Sequence, residues 1–145
     1  MGAAMWIGNK TALVFSFLSA VLIGNSASAQ TVHFAVRDVV LKNGESTELA
    51  EVWWISADCK SLLKETPEVE IIDGPPGVTA TITAAKVVPR TYSCAKPISG
   101  GKLVIAAKDV HNHSYTRMVL RVRYKTLMGN RERAENINIA LFPSE

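Results

Sequence analysis

An alternating stretch near the C-terminus constrains the fold more than any other part of the chain. Residues 116–142 read TRMVLRVRYKTLMGNRERAENINIALF, and apolar side chains recur there at every second position in two arms. A period of two is typical of strands with one buried and one solvated face. The segment therefore predicts a β-hairpin whose apolar face packs against a second layer of structure. The apolar residues of the two arms are Met118, Leu120, Val122 and Tyr124, then Ile137, Ile139 and Leu141.

The dipeptide Gly129-Asn130 predicts the turn of this hairpin, because glycine at the first central position suits a type II′ turn. With this turn, all the apolar side chains fall on one face, whereas a slip by one residue would put the two arms on opposite faces. The register that follows places Met118 opposite Leu141, Leu120 opposite Ile139 and Val122 opposite Ile137.

The first 29 residues have the pattern of a secretory signal peptide. Lys10 is their one charged residue, residues 12–23 are an apolar run, and Ala27-Ser28-Ala29 is a small-x-small cleavage site. A membrane anchor is the alternative, but the run is shorter than the roughly 20 apolar residues that a span needs. No cysteine follows the cleavage site, so lipoprotein anchoring is not indicated either. We expect residues 30–145 to form one domain, periplasmic or secreted, with no stable membrane anchor.

The charge of the mature chain is nearly balanced. Since Lys10 is the only charged residue of the leader, 15 basic and 13 acidic residues remain, a net charge of +2. The basic residues form no continuous run and few aromatic residues lie among them. The sequence therefore predicts no nucleic-acid partner.

The rest of the mature chain alternates short apolar stretches with Gly, Pro and Asn turn signals. Turns recur about every 8 to 15 residues, which is close to the spacing of sandwiches and barrels. We predict an all-β, immunoglobulin-like antiparallel β-sandwich of seven to eight short strands. Residues 56–67 are expected to cross between the sheets through a turn or one helical turn, and residues 97–101 to form a turn. The predicted strands outside the hairpin are 30–41, 49–55, 68–72, 78–83 and 102–108.

Two cysteines, Cys59 and Cys94, lie in the part predicted to be exported. An even pair in an oxidising compartment most often forms a disulfide. This one would close a loop of about 35 residues, worth about 3 to 4 kcal/mol in the chain-entropy model. A redox-active role is less favoured, because the cysteines are not in a C-x-x-C pair.

Trp53 and Trp54 are adjacent in a predicted strand, so their rings must point to opposite faces. One ring is expected in the core and the other, for which we take Trp54, near the surface as an anchor for a protein partner. The alternative is that the segment 56–67 covers the strand and both rings are buried.

The solvated face of the hairpin carries the strongest cationic feature. Arg121 and Arg123 are candidate partner-binding residues, because basic side chains at every second position form a stripe that suits an acidic partner, lipid headgroup or polyanion. Arg117, Lys125, Arg131 and Arg133 extend this stripe. The alternative is a solubilising face that Glu132 and Glu135 partly balance.

His111 and His113 are the candidate metal ligands, for copper or zinc, because two imidazoles at i and i+2 point the same way in an extended segment. A third ligand is needed, and His33 is the only other histidine. Apart from this alternative we expect no cofactor. The sequence has no G-x-S-x-G or H-E-x-x-H motif and no recognisable pairing of a nucleophile with a base, so we expect no enzyme and name no catalytic residue.

Two resemblances extend these predictions. Tyr92-Ser93-Cys94 resembles the immunoglobulin tyrosine corner, although both tryptophans precede Cys59 and about three strands follow Cys94, so we expect a topology other than the antibody type. More broadly, VWWISADCKSLLKETPEVEIIDGPPGV, GGKLVIAAKDV and VLRVRYKT resemble small exported alphaproteobacterial proteins of immunoglobulin-like appearance without assigned function. This second resemblance implies a periplasmic location and a Cys59–Cys94 disulfide. The combined prediction is an exported binding or accessory domain, with metal handling as the alternative.

Overall fold

The computed structural model describes residues 38–90 and 94–145, which form seven strands in two sheets. The predicted all-β sandwich is therefore confirmed. No helix in these two ranges is long and apolar enough to cross a membrane. The strands are β1 (Asp38–Lys42), β2 (Ser46–Val52), β3 (Glu68–Asp73), β4 (Val78–Val87), β5 (Ile98–Ala107), β6 (Ser114–Thr126) and β7 (Gly129–Phe142).

The strands are ordered β1-β7-β6-β3 in one sheet and β2-β5-β4 in the other. β1 runs parallel to β7, while the other neighbours are antiparallel. The crossing predicted for residues 56–67 is found, and it is a turn rather than a helix. The N-terminal part of the predicted first strand, residues 30–37, lies outside the described residues, as do Tyr92 and Ser93.

The prediction of a turn at residues 97–101 is wrong, because β5 already begins at Ile98. Gly100 and Gly101 lie inside this central strand, where the neighbouring strands approach closely. A Cβ atom on Gly100 would lie 2.5 Å from the backbone oxygen of Val52 and 2.6 Å from a methyl group of Val87. These glycines provide room between strands and do not form a turn.

The strands and the disulfide both depart from the constant-type antibody pattern, as expected. The orders β2-β5-β4 and β3-β6-β7 correspond to B-E-D and C-F-G of those domains, but β1 pairs in parallel with β7, whereas their first strand lies in the sheet with B, E and D. The antibody disulfide joins the B and F strands across the core. Here the disulfide joins the β2–β3 and β4–β5 connections, with 5.7 Å between the Cα atoms of Cys59 and Cys94.

The main core fills the space between the two sheets. The predicted apolar face of the hairpin supplies much of it, and all seven of its alternating residues are buried. The opposite sheet contributes Leu103 and Ile105 from β5 and Val78 from β4. The predicted inward alternation of β4 also holds, since Val78, Ala80 and Ile82 pack on this core while the threonines between them are exposed.

The hairpin register differs from the prediction by a shift of four residues. Leu127 and Met128 occupy the turn, Thr126 pairs with Gly129, and Met118 therefore faces Ile137. Thr126 stabilises the observed turn over the predicted Gly129-Asn130 turn. Its side chain is buried, and its hydroxyl donates to the Gly129 carbonyl at 2.6 Å and accepts from the Met128 amide at 3.1 Å. An even shift keeps the same side chains on the same face, so the predicted buried face is correct although the pairing is wrong.

A second, smaller cluster lies on the outer side of the three-stranded sheet. Trp53 and Ile55 pack there with Val87 and Cys94, and Cys59 lies against them. Trp54 belongs to the main core, so the two rings do point to opposite faces as predicted. The disulfide links the β2–β3 connection, which carries Cys59, to the β4–β5 connection, which carries Cys94. It therefore fixes the two connections that cover the second cluster.

Candidate functional site

The outer face of the four-stranded sheet, turned away from the three-stranded sheet, carries most of the predicted surface residues. Arg117, Arg121, Arg123 and Lys125 of β6 all lie on it, because they alternate with the buried residues of the same strand. The end of this face nearest the hairpin turn is charged, whereas the other end is apolar.

The predicted cationic stripe is paired with acidic residues of its neighbours. Arg123 lies opposite Glu68 in the β3–β6 register, and its guanidinium contacts Glu70 at 2.5 Å. A nitrogen of Arg121 lies 3.7 Å from the same carboxylate. Since both arginines share Glu70, the stripe is part of an ion-pair network and does not stand as an isolated row of positive charge.

Lys125 completes this network at the hairpin end. Its ammonium group lies 2.5 Å from a Glu65 oxygen and 3.7 Å from a Glu68 oxygen. The hydrogen bond that Lys125 donates to Glu65, followed by the charges of both carboxylates, raises the pKa of Lys125 above its usual value. With Glu132 opposite Arg123, four acidic residues surround three basic ones, so this half of the face has no excess of positive charge.

Arg131 and Arg133 do not extend the stripe, contrary to the prediction. They pair with Tyr124 and Val122, whose side chains point to the core side of the sheet. Arg133 forms an ion pair with Glu135 on that same side. Because of the four-residue shift in register, β7 begins at Gly129. Arg131 and Arg133 therefore lie on the core side of the sheet, where they form a charged border next to the apolar core.

Trp54 does not present a ring to a partner. It is 9% exposed, and its ring centroid lies 5.3 Å from that of Tyr124 inside the main core. Trp53 is buried as well, beneath the disulfide-linked connections. The prediction that Trp54 is part-exposed is wrong, and the alternative that both rings are buried is correct, because this segment is covered on both sides.

His111 and His113 are both exposed, but they are engaged differently. His111 lines a surface cavity of about 440 Å³ between the β3–β4 and β5–β6 connections. The ring of His113 instead stacks on Phe142, with 4.4 Å between the centroids. Among the described residues, no group of three or more His, Cys, Asp or Glu side chains is arranged to hold a metal ion. His33, the remaining histidine, lies outside the described residues.

The apolar end of the outer face contains residues that the sequence analysis did not select. Val40 of β1, Ala140 of β7 and Tyr115 of β6 form one row across three adjacent strands. Val40 is 66% exposed and Tyr115 is 68% exposed. Phe142, 37% exposed, lies two residues beyond Ala140 and carries the stacked ring of His113. We call Val40, Tyr115, Ala140 and Phe142 the aromatic patch.

Polar groups surround the aromatic patch. Asp38 and Lys42 flank Val40 on β1, and the Asp38 carboxylate accepts a hydrogen bond from the Asn138 amide at 2.8 Å. Arg117 lies next to Asn138 on β6. An apolar centre with a tyrosine and a polar border is the composition of a protein-binding surface. Because the patch lies on paired strands, it is also rigid before any partner arrives.

A sequence signal for the patch exists in the apolar run of β1. Val39, Val40 and Leu41 are consecutive, and a strand with one solvated face must turn the middle residue outwards. Tyr115 and Phe142 have the same parity as the solvated positions of the hairpin arms. Only the pairing of β1 with β7 shows that these three outward residues meet.

No protein-family model and no curated protein matches this chain.

Proposed function

We propose that this chain is an exported, non-catalytic binding domain with an immunoglobulin-like fold, and that it binds a protein partner through the aromatic patch. The observation that carries the proposal is the row of Val40, Ala140 and Tyr115, which exposes two large apolar side chains on three hydrogen-bonded strands. The strand order supports the immunoglobulin-like fold. The leader pattern and the disulfide support export.

A protein fits the patch better than a polyanion does. Tyrosine is among the residues most enriched at the energetic centre of protein interfaces, and it orders few torsions on binding. Arg121 and Arg123 are already paired with Glu70, so a polyanion that bound them would have to break these ion pairs.

The test compares matched surface variants of the mature chain, residues 30–145. V40S/Y115S removes the apolar centre of the patch, while L127S/M128S makes the same kind of change at the exposed hairpin turn. Immobilised wild-type and variant chains are exposed to a periplasmic extract, and the affinity of each retained protein is then measured after purification. We expect V40S/Y115S to weaken binding about 30-fold or more, since a tyrosine at an interface centre is worth roughly 2 kcal/mol or more.

The matched control decides the outcome. L127S/M128S should bind like the wild type. Equal binding by V40S/Y115S would refute the proposal, and a loss confined to R121S/R123S would move the site to the charged half of the same face.

Metal handling through His111 and His113 stands as the alternative, with less support. The stacking of His113 on Phe142 holds that ring against the patch, away from the cavity that His111 lines. Calorimetry with Cu(II) and Zn(II) tests it directly. A binding heat that disappears in H111A/H113A would favour the metal function over the binding domain.

A further inference from the structure

The free edge of β4 differs from the other three sheet edges in the described part of the chain. β2 has a register shift between Glu48 and Ala50, and β3 has one near Asp73 and carries three acidic residues. β1 is short, and the outward backbone groups of Lys42 are already hydrogen-bonded to Glu45 of the following turn. The Lys42 amide donates to the Glu45 carboxylate, and the Lys42 carbonyl accepts from the Glu45 amide. Such irregularities and charges protect edges from pairing with other chains. β4 has ten residues, no register shift and one charged side chain.

The hydrogen-bonding groups on this edge follow from its pairing with β5. The Lys108 amide donates to the Gly77 carbonyl at 2.7 Å, so Gly77 and every second residue after it turn their amides and carbonyls towards β5. The alternate residues turn theirs away from β5, where no described strand lies beside them. Five donors and five acceptors therefore face outwards, from Val78, Ala80, Ile82, Ala84 and Lys86.

The side chains leave this edge open. Thr79, Thr81 and Thr83 form an exposed row on the outer face of the strand, and Ala84 is also exposed. At the far end, a cavity of about 550 Å³ is bounded by residues 63–66 on one side and residues 84–86 on the other. The cavity therefore leaves room for an extended segment beside this end of β4.

Two copies of β4 can also pair with each other in antiparallel orientation. If Ile82 lies on the two-fold axis, Val78 meets the partner's Lys86 and Ala80 meets the partner's Ala84, and all ten outward groups are used. Thr81 and the partner's Thr83 then face each other twice, as a cross-strand pair that favours sheet formation. The two Lys86 side chains lie about 26 Å apart at 3.3 Å per residue, so no like charges meet.

We propose that β4 pairs antiparallel with β4 of a second copy of this chain, which joins two three-stranded sheets into one six-stranded sheet. A charged peptide has little to recognise on an edge with one lysine, whereas a second copy satisfies every outward group. The contact is independent of the aromatic patch, which lies on the other sheet. The dimer would carry two patches and so bind a repeated or clustered partner more tightly than one copy does.

The experiment measures the mass of the mature chain by sedimentation velocity over a range of concentrations. We expect a wild-type dimer that dissociates at concentrations on the order of micromolar, as small interfaces do. T81K/T83K places like charges opposite each other twice and should weaken the dimer roughly tenfold or more. T81K/T83E changes the same positions but sets the new lysine opposite the partner's new glutamate, so it should remain dimeric.

Circular dichroism of each variant establishes that its fold is intact before its mass is interpreted. An equimolar mixture of T81K/T83K and T81E/T83E should form heterodimers at concentrations where each variant alone is mostly monomeric. A wild type that stays monomeric throughout, a T81K/T83K variant as dimeric as the wild type, or a T81K/T83E variant that is monomeric would overturn the proposal. None of these results depends on whether the aromatic patch binds a partner.

Discussion

Removal of the disulfide should destabilise the domain globally and also uncover one tryptophan. Cys59 and Cys94 are 35 residues apart in the sequence, and the variant C59A/C94A releases the unfolded chain from that loop. The chain-entropy model gives a loss of about 3 to 4 kcal/mol. Domains of this size usually unfold with a free energy of about 5 to 15 kcal/mol, so the variant should fold but with much of its stability lost.

The structural part of the prediction concerns the outer cluster. Trp53 is covered by the connections that the disulfide joins, whereas Trp54 is covered by the two sheets. In the wild type, both indoles of the mature chain should resist acrylamide quenching. In C59A/C94A, Trp53 should become accessible while Trp54 stays shielded, because Trp54 packs against Tyr124 inside the main core.

Urea unfolding followed by circular dichroism measures the first effect, and acrylamide quenching in the absence of urea measures the second. Reduction of the wild type with dithiothreitol provides a control in which no side chain is replaced. A loss of stability below about 1 kcal/mol, together with two indoles that remain equally shielded, would refute the role assigned to the disulfide.

Three further substitutions test the packing at single residues. G100A should cost about 1 to 3 kcal/mol in urea unfolding, because the new methyl group meets the backbone of Val52, which cannot move aside; no measurable loss would contradict this close approach. T126V removes two hydrogen bonds at a buried site and should cost about 1 to 3 kcal/mol, whereas T126S, which keeps the hydroxyl, should cost less. Burial raises the pKa of Tyr124 above its ordinary value of 10.0, and its buried hydroxyl has no hydrogen-bond partner among the described residues. Y124F should therefore be as stable as the wild type near neutral pH. Above pH 10 only the wild type should lose stability through this group, since the unfolded tyrosine ionises first; parallel pH profiles of the two proteins would contradict this.

Much of the architecture could be predicted from the sequence, because the alternation of side chains is a local property of an extended chain. The apolar faces of the hairpin and of β4 were identified correctly, as were the opposite directions of Trp53 and Trp54. The Cys59–Cys94 pairing also followed from the sequence, since two cysteines allow only one bond within the chain.

The surface could not be predicted in the same way, because its chemistry depends on which strands become neighbours. Glu70 and Arg123 are 53 residues apart, and only the pairing of β3 with β6 brings them into contact. That contact turns a predicted cationic stripe into a balanced network. The pairing of β1 with β7 likewise assembles the aromatic patch from Val40 and Tyr115, each of which is unremarkable alone.

The sequence by itself determined which residues point inwards, while the tertiary structure decided what each of them meets. Period-two patterning is unchanged by an even shift in register, so it could not distinguish the predicted hairpin turn from the observed one. The choice was made by the buried hydroxyl of Thr126 and by the backbone pairing of Leu63 with that residue, a contact between distant segments. Glycines 100 and 101 were misassigned for the same physical reason, because the space that requires them is created by neighbouring strands.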